Sequence, residues 1–506
     1  MNKRAFYQNT ALMTACSLLL RLFGILFRIL VSNRIGAEGM GLYQLVCSVY
    51  ILGTTFAASG LTTAITRMVA QRLTTQEHHS VNRIMRLGYR ISVLVGSGSA
   101  LILYFIAPLV GQWCGDERIV QAVSICGIAL PFIGVSSCIK GYYLARRNAW
   151  QPCLSQILEQ GVRIGSILWL LATAWDGSLT QACTIIIAGD ALSETAACLY
   201  LLRCYRRDRT HVTLSALPED TPTVSHLRPL LEIALPLTAG RYLTAALRTT
   251  ENIIVPSRLS IYTRSDALAL AQFGAVKGMA LPLIFFPSAL LMTVSGLLIP
   301  ELSDAHAMRQ QKQVTRLTEI ALHVTLLGAF LIGGLFTVCG QSIGLALYGD
   351  PTVGLILRIL GPLTPIMYLD SVVTGMLKGL GQQMHSLWFS VADSVVRILL
   401  IYLLLPYYGL MGFLFVMLVS NLLTCTLSVR RLLIVSRAHI HWQKWLIGPI
   451  AASVLAGLCT AIIPLENTRF LLCAGFAYTL LYCALILLFR CFPKEDRQQL
   501  IARKHK

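Results

Sequence analysis

The chain has 506 residues, 55% of them hydrophobic and 13% charged, with a mean hydropathy of +0.67. That balance excludes an ordinary water-soluble domain and places the chain in lipid. Its formal net charge of +19 is spread over alternate gaps between apolar runs, so it does not form a face for nucleic acid, which is excluded as a partner.

A membrane-crossing helix needs about 20 mostly apolar residues. Such runs begin near residues 10, 43, 86, 119, 153, 181, 228, 267, 314, 352, 384, 409, 444 and 468. The expected fold is therefore an all-α polytopic membrane protein of about fourteen transmembrane helices. Lys3 and Arg4 precede the first run, and Arg72, Arg83 and Arg86 fill the second gap. Arg146 and Arg147 follow in the fourth gap, Arg203, Arg206, Arg207 and Arg209 in the sixth, and Arg309, Lys312 and Arg316 in the eighth. Arg430, Arg431, Arg437 and Lys444 fill the twelfth, and Lys494, Arg497, Arg503, Lys504 and Lys506 the tail. The intervening gaps are short and carry Asp116, Glu117, Asp176 and Asp350. The positive-inside rule then puts both termini in the cytoplasm, which requires an even number of crossings.

The first apolar run contains Arg21 and Arg28 and continues to about Val31, so it reads as a crossing and not a cleaved leader. The 15 cysteines, among them Cys16, Cys126, Cys198 and Cys473, show no CxxC pair and read as small apolar core residues; neither a metal nor a cofactor is expected. The longest polar connection, with Pro218, Glu219, Asp220, Thr221 and Pro222, separates six helices from eight. The expected organisation is an N-lobe at 1–205, a cytoplasmic linker at 206–227, a C-lobe at 228–435, and a two-helix addition with a basic tail at 436–506.

The two lobes echo each other. Glu159 and Arg163 in the fifth helix match Asp393 and Arg397 in the eleventh, each an acid four residues before an arginine on one helical face. Lys140-Gly141 matches Lys378-Gly379, and Ser59-Gly60-Leu61 matches Ser295-Gly296-Leu297. Two six-helix lobes related as parallel repeats, enclosing a central cavity, follow from this pattern.

An arginine at the centre of a membrane helix costs about 2.5–3.5 kcal/mol on insertion scales, so such groups face a wet cavity or a partner. Arg21 and Arg28 lie seven apart on the first helix, and Arg241 and Arg248 seven apart on the seventh, followed by Glu251 and Asn252; Lys277 lies in the eighth, Asp370 in the tenth. Glu159–Arg163 and Asp393–Arg397 have the spacing of pairs within one helix, and Asp190 and Glu194 read as partners of such arginines. Arg21, Arg28, Arg241, Arg248 and Lys277 are the candidate substrate-binding set, since guanidinium suits phosphate or pyrophosphate. Gly274, Gly278, Gly375 and Gly379 have the four-residue spacing of close helix contacts, and Pro236, Pro282, Pro287 and Pro300 are candidate kinks. Gly96-Ser97-Gly98 lacks the residues of a phosphate loop, and no Walker motif occurs.

Arg21-Leu-Phe-Gly24, Arg28, the segment Ile35-Gly-Ala-Glu-Gly-Met-Gly-Leu-Tyr-Gln-Leu45 and Ser59-Gly60 together resemble the stage V sporulation protein B and polysaccharide-exporter family. That family belongs to the multidrug/oligosaccharidyl-lipid/polysaccharide exporter superfamily. The resemblance implies a two-lobed, monomeric flippase of the bacterial plasma membrane, without enzymatic activity. It would move undecaprenyl-pyrophosphate-linked saccharides outward by alternating access, in peptidoglycan, polysaccharide or spore-cortex synthesis, with envelope-synthesis enzymes and membrane lipids as further partners. It assigns Arg21 and Arg28 to the cavity and a lipid-tail groove to the helices between Trp445 and Phe489. The stretch Gly53-Thr-Thr-Phe-Ala-Ala-Ser-Gly60 departs from lipid II flippases, which carry an arginine there. The alternatives are a cation-coupled multidrug exporter, disfavoured by a first helix holding only arginines, and a non-transporting envelope or spore-assembly scaffold, disfavoured by buried charge that a scaffold does not need.

Overall fold

The computed structural model describes residues 3–58, 60–75, 78–213, 227–440, 442–460, 468–489 and 491, and among them every regular element is a helix. Ser59, the Pro218–Pro222 part of the linker and the basic tail from Lys494 lie outside the described residues. The chain forms two compact units, Met1–Gly274 and Ala275–Lys506. The unit boundary thus falls later than the linker, and the helices between 227 and 273 belong to the first unit.

In the first unit α1 (Lys3–Ala58) is two crossings joined at Gly36, whose φ of 71° and ψ of −176° only glycine adopts cheaply. The glycines that follow serve packing. Gly41 lies against the backbone carbonyl of Leu270, leaving no room for a Cβ, and a Cβ on Gly39 would sit 2.8 Å from that of Ile35. Met40, Leu42 and Leu45 beside them are fully buried. The second crossing continues through Gly60 into α2 (Leu61–Thr74), and α3 (His78–Cys114) follows. The fourth crossing is composite: a 3₁₀ turn Glu117–Ile119, α4 (Val120–Cys126), a 3₁₀ turn Gly127–Ala129 and α5 (Leu130–Ala145). Asp116 opens it by accepting from the Arg118 amide at 3.0 Å, and the Arg118 guanidinium reaches Asp116 and Glu38 at 2.8 Å each. Then come α6 (Trp150–Thr173), α7 (Leu179–Thr213), α8 (Leu227–Thr263) and α9 (Asp266–Phe273). Their core gathers Ile65, Ile84, Met85 and Ile139 around Tyr142 and Tyr205, whose rings meet edge-on at 5.0 Å.

A π-helical turn, Gly274–Ala280, that contains both Gly274 and Gly278 spans the unit boundary and runs into α10 (Leu281–Ala307), with Pro287 and Pro300 inside it. After α11 (Gln311–Tyr348) the composite crossing recurs: α12 (Pro351–Leu360), a 3₁₀ turn Gly361–Leu363 and α13 (Thr364–Gly379). Gly127 with Pro131 and Gly361 with Pro365 stand at the same four-residue spacing at the two breaks. α14 (Gln383–Ser436) is two crossings joined at Gly409, φ 54°. A second π-helical turn, Gln443–Ile447, leads to α15 (Gly448–Thr460) and α16 (Thr468–Leu488). Tyr482 of α16 is tied to α11 through a 2.8 Å bond to the Leu327 carbonyl.

Read as crossings, these elements give the fourteen expected helices. Among the described residues, nine continuous stretches are long and apolar enough to qualify on composition alone, two of them double; α6 and α8 fall short because they carry charged and amide side chains, and α15 because it is short. Large apolar side chains such as Leu94, Phe105, Leu472 and Phe476 are exposed, as lipid-facing surface requires. Exposed Trp113, Trp150, Trp169, Trp388 and Trp442 sit near helix ends, where interfacial tryptophans anchor. Cys16, Cys126 and Cys198 are core residues as expected; Cys473 is exposed on α16 instead.

A hydroxyl links the second and fourth crossings of each half in the same way. Thr66 shares its proton between the Thr62 carbonyl (2.7 Å) and that of Gly141 (3.1 Å), and Ser303 between those of Ile299 (3.0 Å) and Gly379 (2.8 Å). The Lys-Gly match in the sequence is thus a structural equivalence.

Candidate functional site

The first unit buries a charged network. Arg163 of α6 meets Glu159 on the preceding turn at 3.0 Å, as the four-residue spacing predicts, and Glu159 lies 3.9 Å from Lys140 of α5. The network also reaches α7: Arg163 Nε stands 2.7 Å from Asp190, a charge contact whose geometry does not align a hydrogen bond. Side-chain exposures of 19% for Arg163, 15% for Glu159 and 7% for Asp190 keep water from screening it. Arg28 lies within electrostatic reach of Asp190, and Glu194, one turn after it, within reach of Glu159, Lys140 and Arg163.

Beside this network opens a pocket of about 450 Å³. Tyr50, Thr54, Thr55, Ala58 and Thr62 line it from the second crossing, Ile133 and Ser137 from α5, Glu194 from α7 and Arg241 from α8. Only Ala58 and Ile133 contribute no polar side-chain atom. The helices close tightly next to it, since Gly60 packs on the Ala234 carbonyl and Thr238 of α8. Further along, α8 is tied to α1 by Thr249, which donates to the Ser48 carbonyl at 2.9 Å, and by Asn252, which donates to the Ser48 hydroxyl at 2.8 Å.

In the second unit the equivalent acid–arginine pair recruits a third group. Arg397 meets Asp393 at 2.9 Å, and Ser420 both accepts from Arg397 Nε at 2.8 Å and donates to Asp393. Lys277, half-buried in the π-helical turn, lies 5.9 Å over the ring of Phe413, a cation–π arrangement. A separate apolar groove of about 920 Å³ runs between α11, α13 and the later part of α14 and is bordered by Trp442, Trp445 and Leu446; Arg430 is the one charged residue among its described lining residues.

Of the residues singled out in the sequence, the structure brings Glu159, Arg163 and Arg28 into one buried neighbourhood and puts Arg241 in the pocket. Arg21 and Arg248 are exposed, and the described pocket lining does not include them. The pocket is also not purely cationic, because Glu194 faces it together with Arg241. Asp190, read from the sequence as a partner of such arginines, pairs with Arg163, while Lys140, Ser420 and Tyr50 complete these clusters through contacts between helices that leave no spacing signal along the chain.

A family model described as polysaccharide biosynthesis protein matches residues 6–306. The chain is 23% identical to stage V sporulation protein B of Bacillus subtilis over 99% of this chain and 98% of that protein. It is 20% identical to the lipid II flippase MurJ of the same organism, over 78% and 76%. Among solved structures, MurJ in an inward closed conformation superimposes with a TM-score of 0.71, 13% identity and coverage of 95% and 98%. An inward-facing multidrug-resistance MATE transporter gives 0.65, 13%, 83% and 96%.

Proposed function

The chain belongs to the polysaccharide biosynthesis protein family, and from that premise we propose that it is a flippase. Its substrate is an undecaprenyl-pyrophosphate-linked saccharide of the cell envelope, carried across the bacterial plasma membrane by alternating access without covalent chemistry. Both termini lie in the cytoplasm, and the functional halves follow the sequence repeat, 1–205 and 228–435, joined by the 206–227 linker. Solved structures with this fold in inward- and outward-facing conformations support the transport cycle.

The observation that carries the reading is a polar pocket holding Arg241 inside an apolar helical bundle. Arg241 puts a planar donor fork at the edge of that pocket, and such a fork suits a pyrophosphate. Arg21 and Arg28 on α1, Arg248 on α8 and Lys277 are the further cationic groups proposed to contact the substrate. The buried pairs Glu159–Arg163 and Asp393–Arg397 each brace helices within their own unit. The apolar groove at Trp442 and Trp445 suits the prenyl tail, at the head of the two C-terminal helices. Stage V sporulation protein B as the full-length relative supports a place in spore-envelope synthesis.

Translocation of a fluorescent undecaprenyl-pyrophosphate saccharide by purified protein in liposomes tests this. Wild type should move the probe, and Arg241→Ala should reduce the rate at least about tenfold, the value of one charge-assisted contact. Absence of transport under an imposed potential or ion gradient overturns the flippase; transport untouched by Arg241→Ala removes Arg241 from the site.

A further inference from the structure

The chemistry of the pocket walls is more specific than a positive charge: away from Arg241 it offers hydrogen-bond acceptors. Thr54 and Thr55 both spend their protons on the Ile51 carbonyl, at 3.0 and 2.7 Å, so only lone pairs remain for a ligand. Glu194 adds a carboxylate. Three of the polar groups on this wall are therefore acceptors, which pair with hydroxyl or amide donors and not with a pyrophosphate, itself all acceptor. The Tyr50 hydroxyl, buried and without a hydrogen-bond partner among the described residues, stands in the same wall. A buried hydroxyl left unmade costs free energy that a ligand or an ordered water recovers.

We infer that this pocket receives the saccharide and not the pyrophosphate: Thr54, Thr55 and Glu194 accept from ring hydroxyls or an amide N–H, Tyr50 donates, and Arg241 marks the junction with the phosphates. The inference rests on the flippase reading and names which end of the substrate the pocket takes. A volume of about 450 Å³ lies within the roughly 300–1,000 Å³ usual for small-molecule sites. A ligand without donors leaves these acceptors unpaired and is disfavoured.

The test measures binding of two probes to the protein in lipid nanodiscs: a short-chain prenyl pyrophosphate, and the same lipid bearing one N-acetylhexosamine. Glu194→Gln and Tyr50→Phe preserve shape, so the fold is not at issue. Each should weaken the glycosylated probe by about tenfold and leave the bare pyrophosphate within about twofold, whereas Arg241→Ala should weaken both. Equal weakening of the two probes by Glu194→Gln and Tyr50→Phe, no weakening of either, or a wild type indifferent to the sugar would each overturn the inference and leave the flippase intact. A wild type that binds neither probe overturns the flippase reading itself.

Discussion

Replacing Arg163 by methionine keeps the helix and most of the side-chain volume but removes the one cation that touches both Glu159 and Asp190. Glu159 retains Lys140 at 3.9 Å. Asp190, with 7% of its side chain exposed, loses the cation 2.7 Å away. Removing one member of a buried pair costs about 3–5 kcal/mol, mostly from stranding the other charge, whereas replacing both members by uncharged groups is close to neutral. Arg163→Met should therefore lower the melting temperature of the purified protein in detergent by several degrees. Adding Asp190→Asn to it should recover at least about 1 kcal/mol, a non-additivity that a double-mutant cycle reads directly. The reasoning is wrong if Arg163→Met melts like wild type, or if the two substitutions together lose the sum of their separate losses.

Two further outcomes follow from geometry alone. Gly36→Ala meets no neighbouring atom and should cost about 1–3 kcal/mol from backbone conformation, while Gly41→Ala, driven into the Leu270 carbonyl, should lose more; chemical denaturation of the two variants side by side checks the order. Ser420→Ala removes the hydroxyl shared by Arg397 and Asp393 and should cost about 1–3 kcal/mol, seen as earlier melting, whereas Ser420→Thr, which keeps the hydroxyl, should lose less.

The crossings were legible because hydropathy and the arginine-rich gaps are properties of contiguous sequence. Pairs within one helix were equally legible: the four-residue spacing that joins Glu159 to Arg163 and Asp393 to Arg397 is read off the chain. Asp190 was read as the partner of such an arginine, and Arg163 is that arginine; Lys140 and Ser420 were not assigned to the pairs, because what joins them is the packing of one helix on the next. That Glu194 lines a pocket together with Arg241 was unreadable for the same reason, since the two stand on different helices. The 3₁₀ breaks at Gly127 and Gly361 did leave a trace, a proline four residues on in each half, which stands out only when the halves are aligned on those residues. The π-helical turns at Gly274–Ala280 and Gln443–Ile447 have no comparable signature.

The paired hydroxyls of Thr66 and Ser303 amount to a substitution experiment already performed inside one molecule. One half has a methyl group on the bonding carbon and the other has none, yet both reach a glycine carbonyl on the facing helix. The oxygen is what the contact demands, and the methyl is dispensable. Each such cross-tie fastens its two helices into a single stiff plank, so whatever flexing accompanies a transport cycle must be taken up at other joints of the bundle.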